Sequence, residues 1–279
     1  MTWPVGVSFA ACGFLGVYHL GAAMALRAHG AGLLRDVTAF AGASAGALVA
    51  AALLTAPGSL EACTRFAHAL AEDTRRQALG PATPGFDFME RLRSGVDRIL
   101  PANAHELARD RLHVSITNAR TRENRLVSCF ASRDDLIQVL LASSFIPVYM
   151  GLKPVEYAGQ TWVDGGLTDS LPVLPAGRTV TVSPFCGRHD VSPRDPGWRG
   201  AYARVCNQDV AVSPGRGFLC ARLAPDHALS APHPVQVSPA NLARLTRALF
   251  PPTRVTLESL FRDGFRDTVG FLRREGRFR

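Results

Sequence analysis

The stretch FAGASAGALVAA, residues 40–51, sets one serine among residues with almost no side chain. An apolar run ending in Phe40-Ala41 precedes it, and a run of alanine, leucine and valine follows. That order predicts a buried strand, a tight turn and a buried helix, with Ser44 at the turn. Gly42 and Gly46 complete a G-x-S-x-G pattern, in which a bulkier Cβ would collide with neighbouring backbone. Such an elbow lifts the serine hydroxyl to the N-terminus of a helix, where the dipole and free N–H groups favour developing negative charge. A glycine-alanine turn with a serine N-cap fits the same letters, so the surrounding chain has to decide.

Upstream, residues 5–9 read as a strand, ACGFLG (11–16) as a glycine turn, and the following run as a helix to about His29, closed by Gly30. The second strand is read from RDVTAFAGAS. Downstream, Pro57-Gly58 stops the helix that leaves the elbow, and Ser59 is expected to cap an amphipathic helix over 60–78. Further helices are read over 86–99 and after Ser132. RLHVSITNARTRENRLVSCF alternates like two strands, VEYAGQTWVDGG like a hairpin ending at Asp164, and TVTVSPF like one more strand. Alternating strands and helices over 5–183 predict an α/β sheet layered by helices. Residues 184–238, rich in Pro, Gly, Arg and Ser, read as an irregular loop region. Two helices, 239–249 and 255–274, form a C-terminal extension (239–279) expected to pack on the first part.

The chain has 279 residues, 47% of them hydrophobic, enough for a sizeable core. Its net charge of +8 favours an anionic partner, an acidic lipid surface or a nucleic acid, or is simply a solvated basic surface. No groove-reading motif accompanies the charge, so nucleic acid is not expected as a partner. The six cysteines (12, 63, 129, 186, 206, 220) form no CxxC pair, which argues against a zinc site and suits a reducing, intracellular compartment. Cys12 and Cys129 read as core fillers. Residues 1–26 lack the basic start of a secretory signal. Residues 37–57 are uncharged and long enough to span a membrane, but Gly42, Ser44 and Gly46 interrupt them.

Two other places carry chemistry. The turn ACGFLG lies between a strand and a helix, and its N–H groups are placed to cradle an anion. A dinucleotide fingerprint would need an acid at the end of the second strand, whereas Asp36 stands before it. An oxyanion hole beside Ser44 fits better. Asp164, in WVDGGLTDS, ends a strand and is followed by Gly165 and Gly166. Alone it reads as an Asp-Gly turn. A histidine base would come from His189, His227 or His233, which follow Asp164 in order but lie in the irregular region.

Taken together, ACGFLG, GASAG and DGG resemble the patatin-like phospholipases. SFAACGFLGVYHLGAA, LPANAHELARDRLHVSITNARTREN, LLASSFIPVYMGL and WVDGGLTDSLPVLP are similar to the adiponutrin-type branch of that family. The likeness runs over residues 5 to about 213 and resumes at ANLARLTRALFPP; residues 214–238 look like an insertion. Ala11 stands where the family has the first glycine of the oxyanion turn, a change expected to be harmless while its φ stays negative. The resemblance implies a patatin-like layered sheet and a Ser44–Asp164 dyad without histidine. It further implies an oxyanion hole at Gly13 and Phe14 and supporting glycines at 16, 42, 46, 165 and 166. It implies no metal and no cofactor. The implied substrates are lipid esters (triacylglycerol, retinyl ester, phospholipid), with acyl transfer to retinol alongside hydrolysis. The implied setting is cytoplasmic, peripheral on a lipid droplet or membrane, with the mitochondrion as an alternative. A non-catalytic lipid-binding protein is the competing expectation.

Overall fold

The computed structural model describes residues 4–195, 201–219 and 235–279. The chain begins with β1 (Val5–Phe9), α1 (Gly16–His29), α2 (Ala31–Asp36), β2 (Val37–Ala43) and α3 (Ala45–Thr55). It continues with α4 (Leu60–Arg75), α5 (Phe88–Ile99), α6 (Ala104–Ala108), β3 (Leu112–Asn118), β4 (Asn124–Val127) and α7 (Arg133–Ser144). Next come β5 (Val155–Tyr157), β6 (Gln160–Asp164), β7 (Arg178–Val182), β8 (Ala201–Val205), β9 (Gln208–Leu219) and β10 (Val235–Val237). Helices α8 (Pro239–Leu249) and α9 (Arg254–Arg274) close it. The fold is mixed α/β, with a mostly parallel central sheet flanked by helices and a helical C-terminal end.

The centre of the sheet is four parallel strands in the order β7-β1-β2-β3. Val7, Ser8 and Phe9 of β1 are fully buried, as a strand covered on both faces requires. The junction that matters lies along β3. β2 pairs with it from Phe40↔Leu112 to Ala43↔Ser115, and β6 pairs with the next stretch, from Ile116↔Asp164 to Asn118↔Trp162. β4 pairs with Val114 through Thr117 and so occupies one edge of β3. β2 and β6 therefore share the other edge, end to end. The register alone brings Ser44, one residue past β2, against Asp164, the last residue of β6.

Helix α9 lies along α1. A Cβ at Gly21 would overlap the Phe261 carbonyl oxygen, and one at Gly264 would overlap that of Tyr18. Tyr18 Oη donates to Asp267 Oδ2 at 2.9 Å across the same seam. The apolar stretch over 37–57 folds as strand, turn and buried helix. Among the described residues no single helix is long and apolar enough to cross a membrane.

Several expectations are corrected. Residues 201–219 and 235–237 are not loop but a three-stranded antiparallel sheet, order β10-β9-β8. Its hairpin turn is Cys206-Asn207, both at positive φ (45° and 64°), a two-residue geometry usually signalled by Asn-Gly. Pro214 and the glycines of β9 further hide the alternation. Part of the expected insertion thus belongs to this sheet, while residues 220–234, with Cys220, His227 and His233, lie outside the described residues. Ser59 stands at the start of α4 but its hydroxyl caps nothing, because a 3₁₀ turn over Pro57–Ser59 leads straight into the helix. That helix ends at Arg75, short of residue 78. Arg35 and Asp36 end α2 instead of opening the second strand, and Asp36 is held by Arg277 (2.6 Å). Cys129 is exposed, not core.

Candidate active site

Ser44 sits between β2 and α3 with φ 54° and ψ −131°, a conformation that costs a non-glycine residue about 1–3 kcal/mol. Neighbouring backbone enforces it. A Cβ at Gly46 would overlap the Phe9 carbonyl oxygen, and one at Gly42 would fall 2.6 Å from the Gly46 carbonyl carbon. The elbow is thus pressed against the end of β1, and only glycine fits on either side. Gly16 serves the same approach, since a Cβ there would lie 3.0 Å from that of Ala45.

Asp164 is 4% exposed. Its Oδ1 accepts from Gly166 N–H at 2.7 Å. Burial pushes its pKa up to about 6, against smaller lowering contributions from the Ser44 side chain and the Gly166 N–H. The strand register sets Ser44 beside this carboxylate, in a setting where burial makes the carboxylate a better base than a solvated one. A Cβ at Gly165 would overlap the Ser115 carbonyl, which explains the first glycine after Asp164. At Gly166 the crowding comes from the Ala11 Cβ, 2.6 Å from where a Cβ would stand. Ala11 itself keeps a negative φ, so its methyl is accommodated by the bare Gly166 facing it. Cys12 also packs here: burial and the Asp164 charge raise its thiol pKa well above the ordinary range.

Gly13 opens a 3₁₀ turn at φ 52°. A Cβ there would overlap the Ala248 carbonyl oxygen at the end of α8. Among the described residues no backbone acceptor pairs with the N–H groups of Gly13 or Phe14, the free donors expected in a first helical turn. Both residues line the same cavity as Ser44.

That cavity, about 150 Å³, runs from Ser44 between α1, α3, α4 and α5. Leu20, Leu48, Phe66, Leu70, Phe88 and Leu92 form much of its wall. No histidine lines it among the described residues. His19 is fully buried on the Ala10 carbonyl (2.9 Å), and His189 borders a separate polar cavity with Asp190 and Arg274. No cluster of ligating side chains able to hold a metal is found among the described residues.

The cavity wall escaped sequence reading. Phe88, Leu92, Val96 and Ile99 recur at helical spacing on α5, a stripe that reads as ordinary core. So did Ser143, whose hydroxyl accepts from the Ser44 backbone N–H at 2.8 Å; a polar residue at the C-terminal end of the apolar α7 was its only signal.

A family model of patatin-like phospholipases matches residues 7–176. Human patatin-like phospholipase domain-containing protein 4 is 57% identical over 98% of this chain and 98% of its own. Human patatin-like phospholipase domain-containing protein 2 is 39% identical over 99% of this chain and 49% of its own length. A mouse 1-acylglycerol-3-phosphate O-acyltransferase is 34% identical over 97% of this chain and 59% of its own. The chain belongs to the patatin-like phospholipase family. Membership supports lipid acyl hydrolysis as its general activity, with acyl transfer represented among its relatives.

Proposed function

We propose that the protein is a lipid acyl hydrolase and transacylase in which Ser44 is the nucleophile and Asp164 the only base. The observation that carries this reading is the register that sets Ser44, which lines an apolar cavity, beside the buried carboxylate of Asp164. Asp164 takes the Ser44 proton as Oγ bonds to the ester carbonyl carbon. The N–H groups of Gly13 and Phe14 hold the oxyanion. The C–O bond then breaks, and the leaving alcohol takes the proton from Asp164. Water, or a second alcohol, attacks the acyl-serine in the reverse sense, and Ser44 recovers its proton. A carboxylate is a weak base for a hydroxyl, so the step needs a dry site in which charge develops only at the transition state.

The apolar cavity suits an acyl chain. Trp in place of Leu92 is expected to shorten it, shifting preference from long-chain to short-chain p-nitrophenyl esters about 10-fold in kcat/KM. Unchanged chain-length selectivity would place the acyl chain elsewhere.

The protein is proposed to work peripherally on a lipid droplet or membrane surface, from the cytoplasmic side. Ile146, Tyr149 and Met150 line the cavity, and Val148 and Leu152 of the same loop are 72% and 85% exposed. Ala248 lines the other side, with Leu245 and Phe250 exposed beside it on the α8 end. A Val148→Asp/Leu152→Asp variant is expected to lose about 10-fold in vesicle binding and emulsion turnover, and to hydrolyse a soluble short-chain ester normally. Equal loss on both substrates would mean damage to the site instead.

The substrates drawn from the resemblance are triacylglycerol, retinyl ester and phospholipid, with retinol as an acyl acceptor. Acyl-labelled triolein incubated with and without retinol tests this. Labelled fatty acid and retinyl ester are expected, and the label should be trapped on the peptide containing Ser44. Vesicle binding without turnover would identify a non-catalytic lipid-binding protein.

A further inference from the structure

A polar route runs from Ser44 to Asp164 behind the site. Ser44 N–H donates to Ser143 Oγ at 2.8 Å, and Ser143 Oγ donates to the Ser115 carbonyl at 2.7 Å. Ser115 Oγ accepts from Asn124 Nδ2 at 2.8 Å, and the same amide reaches Thr168 Oγ1 at 2.8 Å. Thr168 Oγ1 bonds Thr117 Oγ1 at 2.8 Å, and Thr117 Oγ1 donates to the Asp164 carbonyl at 2.8 Å. The chain of contacts starts on the backbone of one candidate dyad residue and ends on the backbone of the other. Ser143, Ser115 and Thr117 in it are fully or almost fully buried.

We infer that Ser143 is a positioning residue, whose hydroxyl pins the elbow of Ser44 to β3 and so fixes the serine against Asp164. The inference rests on the reading of Ser44 as nucleophile. Its physical ground is the strain at Ser44. A serine at φ 54° persists only where its surroundings over-determine it. Its carbonyl is held by α3, accepting from Ala47 N–H at 3.0 Å. Its N–H is held by Ser143 alone among the described residues. Alanine at 143 would leave a buried donor and a buried carbonyl without their shared partner. The elbow would then relax, and displacements of about 1 Å at a nucleophile cost on the order of 100-fold in rate. Ser143 touches no reacting atom, so substrate binding in the cavity is left as it was.

A fluorophosphonate probe with a soluble short-chain ester makes the test. In labelling, the Ser44 Oγ–P bond forms as the P–F bond breaks, fluoride leaves and Asp164 takes the proton. Wild type, Ser143→Ala, Ser143→Thr and Ser44→Ala are compared for labelling rate, labelling stoichiometry, kcat, KM and melting temperature. Ser143→Ala is expected to label to the same final stoichiometry but about 100-fold more slowly, with kcat reduced in parallel and KM unchanged. Ser143→Thr, which keeps the hydroxyl, is expected to restore both rates to within about 3-fold of wild type. A Ser143→Ala protein that melts lower but labels and turns over per site at the wild-type rate overturns the inference and leaves Ser143 a structural residue. Should Ser143→Ala not fold, Ser143→Cys carries the same comparison, with slowed labelling per folded site supporting the inference and an unchanged rate overturning it. Failure of wild type to label at Ser44 would instead overturn the nucleophile reading itself.

Discussion

Asp164→Asn is expected to lose about 10³-fold in kcat and to melt at a higher temperature than the wild type. Both effects come from one feature, a carboxylate taken out of water with no cation beside it among the described residues. Burial raises its pKa from 3.8 to about 6, and holding it ionised above that pH costs the folded state about 3 kcal/mol. Asparagine keeps the oxygen that accepts from Gly166 N–H but carries no charge. It cannot take the Ser44 proton. The sign follows from which form the fold prefers. A carboxyl whose pKa is raised on folding binds its proton more tightly when native, so the native wild type gains stability as pH falls from about 6 toward 3.8. The advantage of Asn over Asp is thus full above pH 6, shrinks across that window and vanishes below it. At pH 8 the melting temperature should rise by roughly 5 °C, and at pH 3.5 the two proteins should melt together. Scanning calorimetry at the two pH values checks this. The same pKa sets the activity profile: kcat/KM of the wild type should fall as pH drops through about 6, as the base is protonated. A variant that is inactive but no more stable at pH 8 would mean that the carboxylate is solvated in solution.

The parts of the site that sequence reading reached are those where chemistry and backbone restriction coincide. Gly42, Gly46, Gly165 and Gly166 are glycine because a Cβ at each would press on main chain or on Asp164 and Ala11, and such a demand leaves a mark in the letters. The pairing of Ser44 with Asp164 was legible only as a pattern of motifs. What joins them physically is a register, Ala43↔Ser115 followed by Ile116↔Asp164, and no local signal encodes how two distant strands share one edge. The apolar cavity beside Ser44 was illegible for the opposite reason. Leu92 and Val96 would look the same facing a solid core or a hollow one, since helical periodicity reports which face is buried and not what fills the space. The β8–β9 hairpin was lost because Cys206-Asn207 turns at positive φ without a glycine. Ala11 keeps the negative φ on which its expected tolerance was conditioned, and its partner, the bare Gly166, emerges only in three dimensions.

Ser44→Ala and Ser44→Gly are expected to be equally inactive and unequally stable. If Ser44 is the nucleophile proposed, either change removes the attacking hydroxyl, so turnover should drop about 10⁵-fold or to background, and the fluorophosphonate label should vanish. The two differ in the backbone. Alanine keeps the Cβ that makes φ 54°, ψ −131° costly, whereas glycine adopts that conformation freely. Glycine also gives the unfolded chain more freedom, which offsets part of the gain. The balance favours Ser44→Gly over Ser44→Ala by about 1 kcal/mol, read as the shift between their urea midpoints at equal slope. This difference isolates the energy stored in the elbow from the chemistry performed there. Equal stability of the two variants would mean that the turn relaxes once the hydroxyl is gone. The strain would then be imposed through the Ser44 hydroxyl, and not by the crowding of Gly46 against the end of β1.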